Sequence, residues 1–128
     1  MKNKFLDYWD VVSTKFASNP FIIGYDPLNE PFFGNPFRDP LNAMPGYFDK
    51  HVLAPLFTLV NERYETNDPT YINWFEPVQE PDVLGVLGGL VFHVGYEKPP
   101  GGEIGSNHHV LNDHLYCCQI KDMCDKNG

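Results

Sequence analysis

Three candidate strands in this chain each lead into polar residues, and this pattern limits the fold more than any other feature. The candidates cover 21–25 (FIIGY), 71–75 (YINWF) and 109–114 (HVLNDH). Short apolar runs such as the first are typical of strands buried in a parallel sheet. Glu30 closely follows the first candidate, and Glu76 directly follows the second. We therefore expect parallel strands whose carboxyl ends carry side chains able to do chemistry.

Two segments with helical spacing alternate with these candidate strands. Apolar residues recur every three or four positions between Phe5 and Phe16, which predicts an amphipathic helix. Residues 48–66 form the second helical segment, in which Pro55 either kinks the helix or opens a new first turn. The resulting order of helix, strand, helix, strand, loop and strand predicts an α/β unit with parallel strands.

Polar residues at the carboxyl ends of parallel strands are the arrangement that builds active sites in (β/α)8 barrels. A complete barrel takes about 250 residues, whereas this chain has 128. The predicted fold class is therefore α/β, as a partial (β/α)8 TIM barrel of about three strands. On this interpretation residues 1–128 are one partial catalytic domain that is truncated at both ends.

Charge and hydropathy argue against several classes of protein. The formal net charge of −8 disfavours a nucleic-acid surface, which needs a basic patch. The sequence has no run of about 18 apolar residues, so we predict no transmembrane segment. The first ten residues become acidic too early for a signal peptide, which leaves either a cytoplasmic protein or a natural N-terminus upstream. Cys117, Cys118 and Cys124 form an odd set, so one disulfide with a free thiol and three free thiols both remain open.

Four sequence blocks, spread over most of the chain, together form a recognisable pattern. The most informative block ends in Asn29-Glu30-Pro31, after the first candidate strand. The blocks are YWDVVSTKFASNPFIIGYDPLNEP (8–31), NWFEPV (73–78), GYEKPPGG (95–102) and VLNDHLYC (110–117). These blocks resemble glycoside hydrolase family 5, a family of retaining (β/α)8 glycosidases, and occur in that family's order. They look most like the endoglycoceramidase and glucosylceramidase branch of the family. The resemblance implies double-displacement hydrolysis of a β-glucosidic bond in a glycosphingolipid, with no metal or cofactor.

The resemblance also implies roles for individual residues at the strand ends. Glu30 is expected to be the general acid/base, because the leaving group needs a proton and the attacking water must later lose one. Asn29 is expected to hold the sugar 2-hydroxyl. His114 is expected to lie near the acid/base, and Tyr116 to support the nucleophile and the sugar. Trp74, near the end of the second candidate strand, is a candidate for lining the sugar cleft, with core packing as the alternative.

The chain departs from the family pattern in two ways. Asn112-Asp113 precede His114, where the branch more often has a Ser-Tyr pair. The family's nucleophile is a second Glu at the end of strand seven, and no such stretch follows Tyr116, so we expect it downstream of Gly128. Because retaining hydrolysis needs two carboxyl groups about 5 Å apart, we predict that the isolated chain is inactive. Glu76 also ends a candidate strand, but we assign it a structural or substrate-cleft role.

Two further expectations concern residues around this site. Asp26 is expected to accept hydrogen bonds from backbone amides at its strand end. The loop 31–48 is a candidate wall for an apolar groove that would take the lipid half of the substrate. Its aromatic residues are Phe32, Phe33, Phe37, Tyr47 and Phe48.

Two alternatives to an enzyme remain. One is a non-catalytic carbohydrate- or glycolipid-binding relic of the same barrel, which would bind ligand without turnover. The other is a zinc-dependent interaction module built on His108, His109, His114 and the cysteines, although their spacing matches none of the usual paired forms. The expected partners are a glycolipid or oligosaccharide substrate and the remainder of the barrel. By resemblance, the parent protein would be secreted or lysosomal.

Overall fold

The computed structural model describes residues 2–79 and 94–114. It contains two α-helices and a two-stranded parallel sheet, together with a short 3₁₀ turn and a π-helical turn. The helices are α1 (Lys2–Phe16) and α2 (Ala54–Asn67), and the strands are β1 (Asn73–Phe75) and β2 (His109–Leu111). The 3₁₀ turn covers Pro40–Ala43, and the π-helical turn, Asp49–Leu53, leads directly into α2. No helix in these two ranges is long and apolar enough to cross a membrane.

The sheet is parallel, as the sequence pattern predicts. β1 pairs with β2 so that Asn73 lies opposite His109 and Phe75 lies opposite Leu111. On the other side of β1, Tyr25 forms an isolated parallel bridge with Asn73. The Tyr25 N–H donates to the carbonyl oxygen of Ile72 at 2.9 Å, and the Trp74 N–H donates to the carbonyl oxygen of Tyr25 at 2.9 Å. Three parallel segments therefore lie side by side in the order Tyr25, β1, β2.

The prediction of a buried strand over residues 21–25 is wrong except at Tyr25. Phe21 is 90% exposed and Ile23 is 67% exposed, so this apolar run is not covered on both faces. Its neighbour among the described residues is β1, and that pairing begins only at Tyr25. Gly24 lies so close to this neighbour that a Cβ atom would sit 2.1 Å from the Ile72 carbonyl oxygen. A short continuous apolar run does not show whether the segment has a strand partner on each side, and that is why the prediction is wrong here.

Two clusters of buried side chains join the helices to the sheet. The first cluster consists of Leu6, Tyr25, Val60, Tyr64 and Tyr71. The second consists of Leu53, Phe57 and Phe75. Together they pack α1 against α2, and α2 against one face of the sheet.

The sequence leaves open whether Pro55 kinks a helix or opens a new first turn. The structure places Pro55 in the first turn of α2, so it opens the helix there. Proline is tolerated at this position, since the first backbone N–H groups of a helix have no partner within the helix.

The side chains on the two faces of β1 have different neighbours. Asn73 and Phe75 face α2, where the Asn73 side-chain amide donates to Asn61 at 3.2 Å and Phe75 packs against Phe57. Because successive side chains of a strand point to opposite faces, Trp74 projects to the face away from the helix. Glu76, immediately after the strand, continues this alternation. It lies beside the ends of the two neighbouring segments, where the polar residues identified in the sequence meet.

Candidate active site

The ends of the three parallel segments bring two carboxyl groups and an imidazole ring into contact. The Nδ1 atom of His114 lies 2.8 Å from Oε1 of Glu30, and its Nε2 atom lies 3.2 Å from Oε1 of Glu76. Glu30 follows Tyr25 along the chain, Glu76 follows β1, and His114 follows β2. The sheet register therefore assembles a site from residues 84 and 46 positions apart in sequence.

Glu76 is the most enclosed member of this site, with no exposed surface. Its Oε2 atom accepts a hydrogen bond from the backbone N–H of Glu30 at 2.6 Å. Its Oε1 atom accepts one from the side-chain amide of Asn112 at 3.0 Å. Burial raises the pKa of Glu76, and the nearby charge of Asp26 adds to the increase, while the bond from the Glu30 N–H opposes it.

Asp26 and Asn112 extend the hydrogen-bond network of the site beyond Glu76. A single side-chain nitrogen of Asn112 donates to Oδ2 of Asp26 at 2.9 Å and to Oε1 of Glu76 at 3.0 Å. Asp26 therefore accepts a hydrogen bond from a side-chain amide, whereas its place at a strand end predicts backbone donors. Sharing one donor brings the two carboxyl groups close together, which is the physical reason why their charges interact.

His114 faces a carboxylate oxygen with each ring nitrogen. The hydrogen bond to Glu30 raises the pKa of His114, and the negative charge of Glu76 acts in the same direction, against partial burial. Only the doubly protonated ring can donate from both nitrogens, so the two carboxylates favour the imidazolium form. The contact between His114 and Glu30 therefore places a proton beside the Glu30 carboxyl group, and the Glu30 side chain is 36% exposed.

Glu30 itself has an unusual backbone conformation, with φ at 48°. This is the left-handed region, which residues other than glycine, asparagine and aspartate rarely occupy. Strained conformations of this type cost about 1–3 kcal/mol and persist where surrounding contacts hold them. The short hydrogen bond from the Glu30 N–H to buried Glu76 is a contact that holds this one.

The other predicted substrate-binding residues differ in their exposure and in whether the structure describes them. Asn29 lies next to Glu30 with an exposed side chain. Trp74 is half-buried, on the side of β1 away from α2. Tyr116 lies outside the described residues, as do Cys117, Cys118 and Cys124.

The histidines of the zinc hypothesis have protein partners. Nδ1 of His108 contacts the carbonyl oxygen of Tyr71 at 3.0 Å, and Nδ1 of His109 contacts the hydroxyl of Ser106 at 2.8 Å. Within residues 2–79 and 94–114, no three histidine, cysteine, aspartate or glutamate side chains are arranged to hold a metal ion.

Sequence reasoning did not anticipate the contacts of Glu76 and Asn112 within the site. A signal for Glu76 was present, because Glu76-Pro77 repeats the Glu30-Pro31 pattern after a strand. The missing information was the register, which sets Glu76 under the backbone of Glu30 and beside Asn112.

The chain is similar in sequence to two endoglycoceramidases. It is 34% identical over 110 residues to the endoglycoceramidase of Cyanea nozakii, a match that covers 86% of this chain and 20% of the relative. It is 30% identical over 116 residues to that of Hydra vulgaris, which covers 91% of this chain and 21% of the relative. The chain thus spans about a fifth of the length of these relatives. No family model matches it.

Solved structures of endo-glycoceramidase II from Rhodococcus sp. share the fold. The complex of that enzyme with ganglioside GM3 matches with a TM-score of 0.70 at 22% identity, over 97% of this chain and 24% of the enzyme. Its lactosyl-enzyme intermediate matches with a TM-score of 0.67 at 22% identity, over 90% of this chain and 24% of the enzyme. These neighbours are TIM-barrel-type enzymes. The chain has the fold of about a quarter of such an enzyme.

Proposed function

We propose that this chain is part of a retaining glycoside hydrolase of family 5, which cleaves the glycosidic bond of glycosphingolipids, and that Glu30 is its general acid/base. The observation that carries the proposal is the position of Glu30. Its carboxyl group is partly exposed, is hydrogen-bonded to His114, and lies at the carboxyl end of three parallel segments. The similarity to endoglycoceramidases over most of the chain supports the substrate class.

In the first step of this mechanism, Glu30 donates a proton to the glycosidic oxygen while a second carboxylate attacks the sugar. In the second step, Glu30 removes a proton from the water that releases the sugar. His114 holds the Glu30 carboxyl group in place and exchanges the proton with it. The lactosyl-enzyme intermediate of the Rhodococcus enzyme supports a covalent intermediate in the mechanism of that neighbour.

Glu76 does not suit the role of nucleophile. Both of its oxygens are occupied by hydrogen bonds, and its side chain is 0% exposed, so a sugar carbon cannot reach it. We propose that the nucleophile comes from a longer parent protein that contains this chain and completes the barrel. This agrees with the length of the two relatives, of which the chain covers 20% and 21%.

The remaining predicted residues have proposed roles in substrate binding. Asn29, exposed beside Glu30, would hold the sugar 2-hydroxyl, whose contacts strengthen in the transition state. Trp74 would present an aromatic face to a sugar ring, and Tyr116 would support the nucleophile.

The leaving group would be ceramide. The name of the two relatives and the ganglioside complex of the Rhodococcus enzyme both support this assignment. Hydrolysis of such lipids fits a secreted or lysosomal parent protein.

Hydrolysis of a fluorescent glycosphingolipid by the parent protein tests the proposal. We expect Glu30→Gln to lower kcat by about 100- to 10,000-fold, the usual contribution of general acid–base catalysis. Glu62→Gln is the matched control, since Glu62 lies exposed on α2. Full activity of Glu30→Gln would refute the proposed role. An inactive parent that still binds the glycolipid would instead favour the non-catalytic relic.

A further inference from the structure

Glu76 is linked to both ends of the proposed acid/base, directly to its backbone and through His114 to its carboxyl group. Its Oε2 atom holds the backbone N–H of Glu30, and its Oε1 atom lies 3.2 Å from His114, whose other nitrogen contacts the Glu30 carboxyl group. The contacts form a closed ring that runs from the Glu30 backbone through Glu76 and His114 to the Glu30 side chain. Within this ring, Glu76 therefore touches both the backbone of Glu30 and the imidazole that contacts the Glu30 side chain.

The backbone contact lies at the strained position of the site. With φ at 48°, Glu30 would relax to a more extended conformation if nothing opposed the change. A rotation at this φ would swing the Glu30 side chain away from His114. The 2.6 Å hydrogen bond to Glu76 holds the peptide group on one side of this torsion, and the 2.8 Å contact with His114 holds the side chain on the other side, so the two contacts together oppose the rotation.

Glu76 is itself held firmly enough to serve as this anchor. It has no exposed surface, and Asn112 bridges its Oε1 atom to Asp26. The hydroxyl of Tyr96 donates to the Glu76 backbone carbonyl oxygen at 2.8 Å. An anchor with both its side chain and its backbone bonded can hold a reactive group within the small tolerance that catalysis requires.

We infer that Glu76 is a positioning residue, which holds Glu30 and His114 in the geometry for proton transfer to the leaving group. The inference rests on the proposed function, because it assumes that Glu30 is the acid/base. It assigns Glu76 a specific task, in place of the general structural or substrate-cleft role given by the sequence. A residue that acts only through Glu30 must affect the same chemical step as Glu30.

Leaving-group dependence reports that step. Ceramide is a poor leaving group and needs the proton from Glu30, whereas a dinitrophenyl glycoside expels a stable phenolate and does not. In kcat/KM, loss of a positioned acid therefore slows the glycosphingolipid strongly and the dinitrophenyl glycoside weakly. A purely structural defect lowers the amount of correctly folded enzyme and slows both substrates equally.

Glu76→Gln in the parent protein is the first variant to compare on both substrates. The amide keeps the size of the side chain, but its nitrogen must face either the Glu30 N–H or the donors Asn112 and His114. One side of the ring is therefore broken in either orientation. We expect kcat/KM for the glycosphingolipid to fall about 100-fold, as for a misplacement of about 1 Å, and a much smaller loss for the dinitrophenyl glycoside.

A double variant and a second substitution complete the test. If Glu76 acts through Glu30, adding Glu76→Gln to Glu30→Gln should cost little further, since residues that act as a unit are not additive. Glu76→Asp keeps the charge but withdraws it by one methylene. It serves as the test if Glu76→Gln does not fold, and the same leaving-group pattern is expected. Glu62→Gln is the control for both substrates.

The outcomes separate the inference from the proposed function. Equal losses on both substrates, no loss on either, or independent losses in the double variant would overturn the positioning role of Glu76. A Glu30→Gln variant that hydrolyses glycosphingolipid normally would overturn the proposed function instead, whatever Glu76 does. A leaving-group-dependent loss in both single variants, without further loss in the double variant, supports the inference.

Discussion

Replacing Asp49 with alanine removes the acceptor of two backbone amides from different parts of the chain. Asp49 is fully buried in the π-helical turn that precedes α2. Its Oδ1 atom accepts from the Val78 N–H at 2.7 Å, and its Oδ2 atom accepts from the Gly95 N–H at 2.8 Å. One side chain thus fastens the segment after β1 and the segment that carries Tyr96 to the start of α2.

The size of the effect follows from these two bonds. A hydrogen bond to a charged group contributes about 1.5–3 kcal/mol, so two such bonds bring about 3–6 kcal/mol. Val78 and Gly95 are only half-buried, so water replaces part of what is lost. We therefore expect Asp49→Ala to cost about 3 kcal/mol locally, at the low end of that range. At about 1.4 kcal/mol per tenfold change, this corresponds to about 100-fold faster opening.

Hydrogen exchange of the parent protein, followed by mass spectrometry, measures this directly. Peptides that contain the Val78 and Gly95 amides should exchange about 100-fold faster in Asp49→Ala. Asp49→Asn should give an intermediate effect, since it keeps one acceptor oxygen. Asp39→Ala is the control, because Asp39 is exposed and forms an ion pair with Arg38 at the surface. Unchanged exchange of both peptides in Asp49→Ala would refute the reasoning.

Two further substitutions test the core and the aromatic loop. Tyr25→Phe removes a 2.8 Å hydrogen bond to buried Asp68 and should cost about 1.5–3 kcal/mol. Burial alone acts to raise the pKa of Asp68, but hydrogen bonds from Thr70 and Tyr25 lower it overall. The stabilisation from these hydrogen bonds is therefore present above the ordinary pKa of 3.8, and it is lost as the pH falls through the lowered pKa of the folded protein. The Tm difference between Tyr25→Phe and the unmodified protein should therefore be full at pH 7 and shrink in acid; a pH-independent difference would contradict this linkage. Phe32 lies two residues after Glu30 and is 52% exposed, so Phe32→Ser should lower activity on ceramide substrates more than activity on aryl glycosides. The control Ile104→Ser, in the turn before β2, should not change the ratio of the two activities. Equal losses of both activities in Phe32→Ser would remove Phe32 from the lipid groove.

Residue spacing predicted the helices better than the strands. The spacing between Phe5 and Phe16 lies within α1, and the second helical segment, 48–66, covers all of α2 except Asn67. β1 and β2 are three residues each, shorter than the candidates at 71–75 and 109–114. A helix satisfies its hydrogen bonds within one segment, whereas a strand needs a partner whose extent its own sequence does not encode.

The aromatic loop shows the same limit on a smaller scale. Phe33 and Phe48 pack inward, Phe48 against the cluster that contains Phe57, while Phe32 and Phe37 are exposed. Composition indicated that the loop was aromatic, but the direction of each ring depends on local turns. The interpretation of the whole loop as a lipid-facing wall is therefore reduced to its exposed rings.

The sequence singles out two residues of the candidate site, but it does not show how the residues of the site contact one another. Glu30 and His114 could be singled out from their motifs, and the structure brings them to 2.8 Å. The left-handed backbone of Glu30 and its bond to Glu76 had no sequence signal, because glutamate has no preference for that conformation. Such local violations of propensity are expected where function, and not stability, sets the geometry.

Chemical rescue of the parent's Glu30→Ala variant tests the central claim most directly. The substrate is a dinitrophenyl β-glycoside, whose first step needs no acid, and azide is added as a small anionic nucleophile. If Glu30 is the acid/base of a retaining enzyme, azide should restore turnover and give the β-glycosyl azide, because it enters on the face from which Glu30 would activate water. No rescue, or an α-glycosyl azide as product, would contradict the assignment of Glu30.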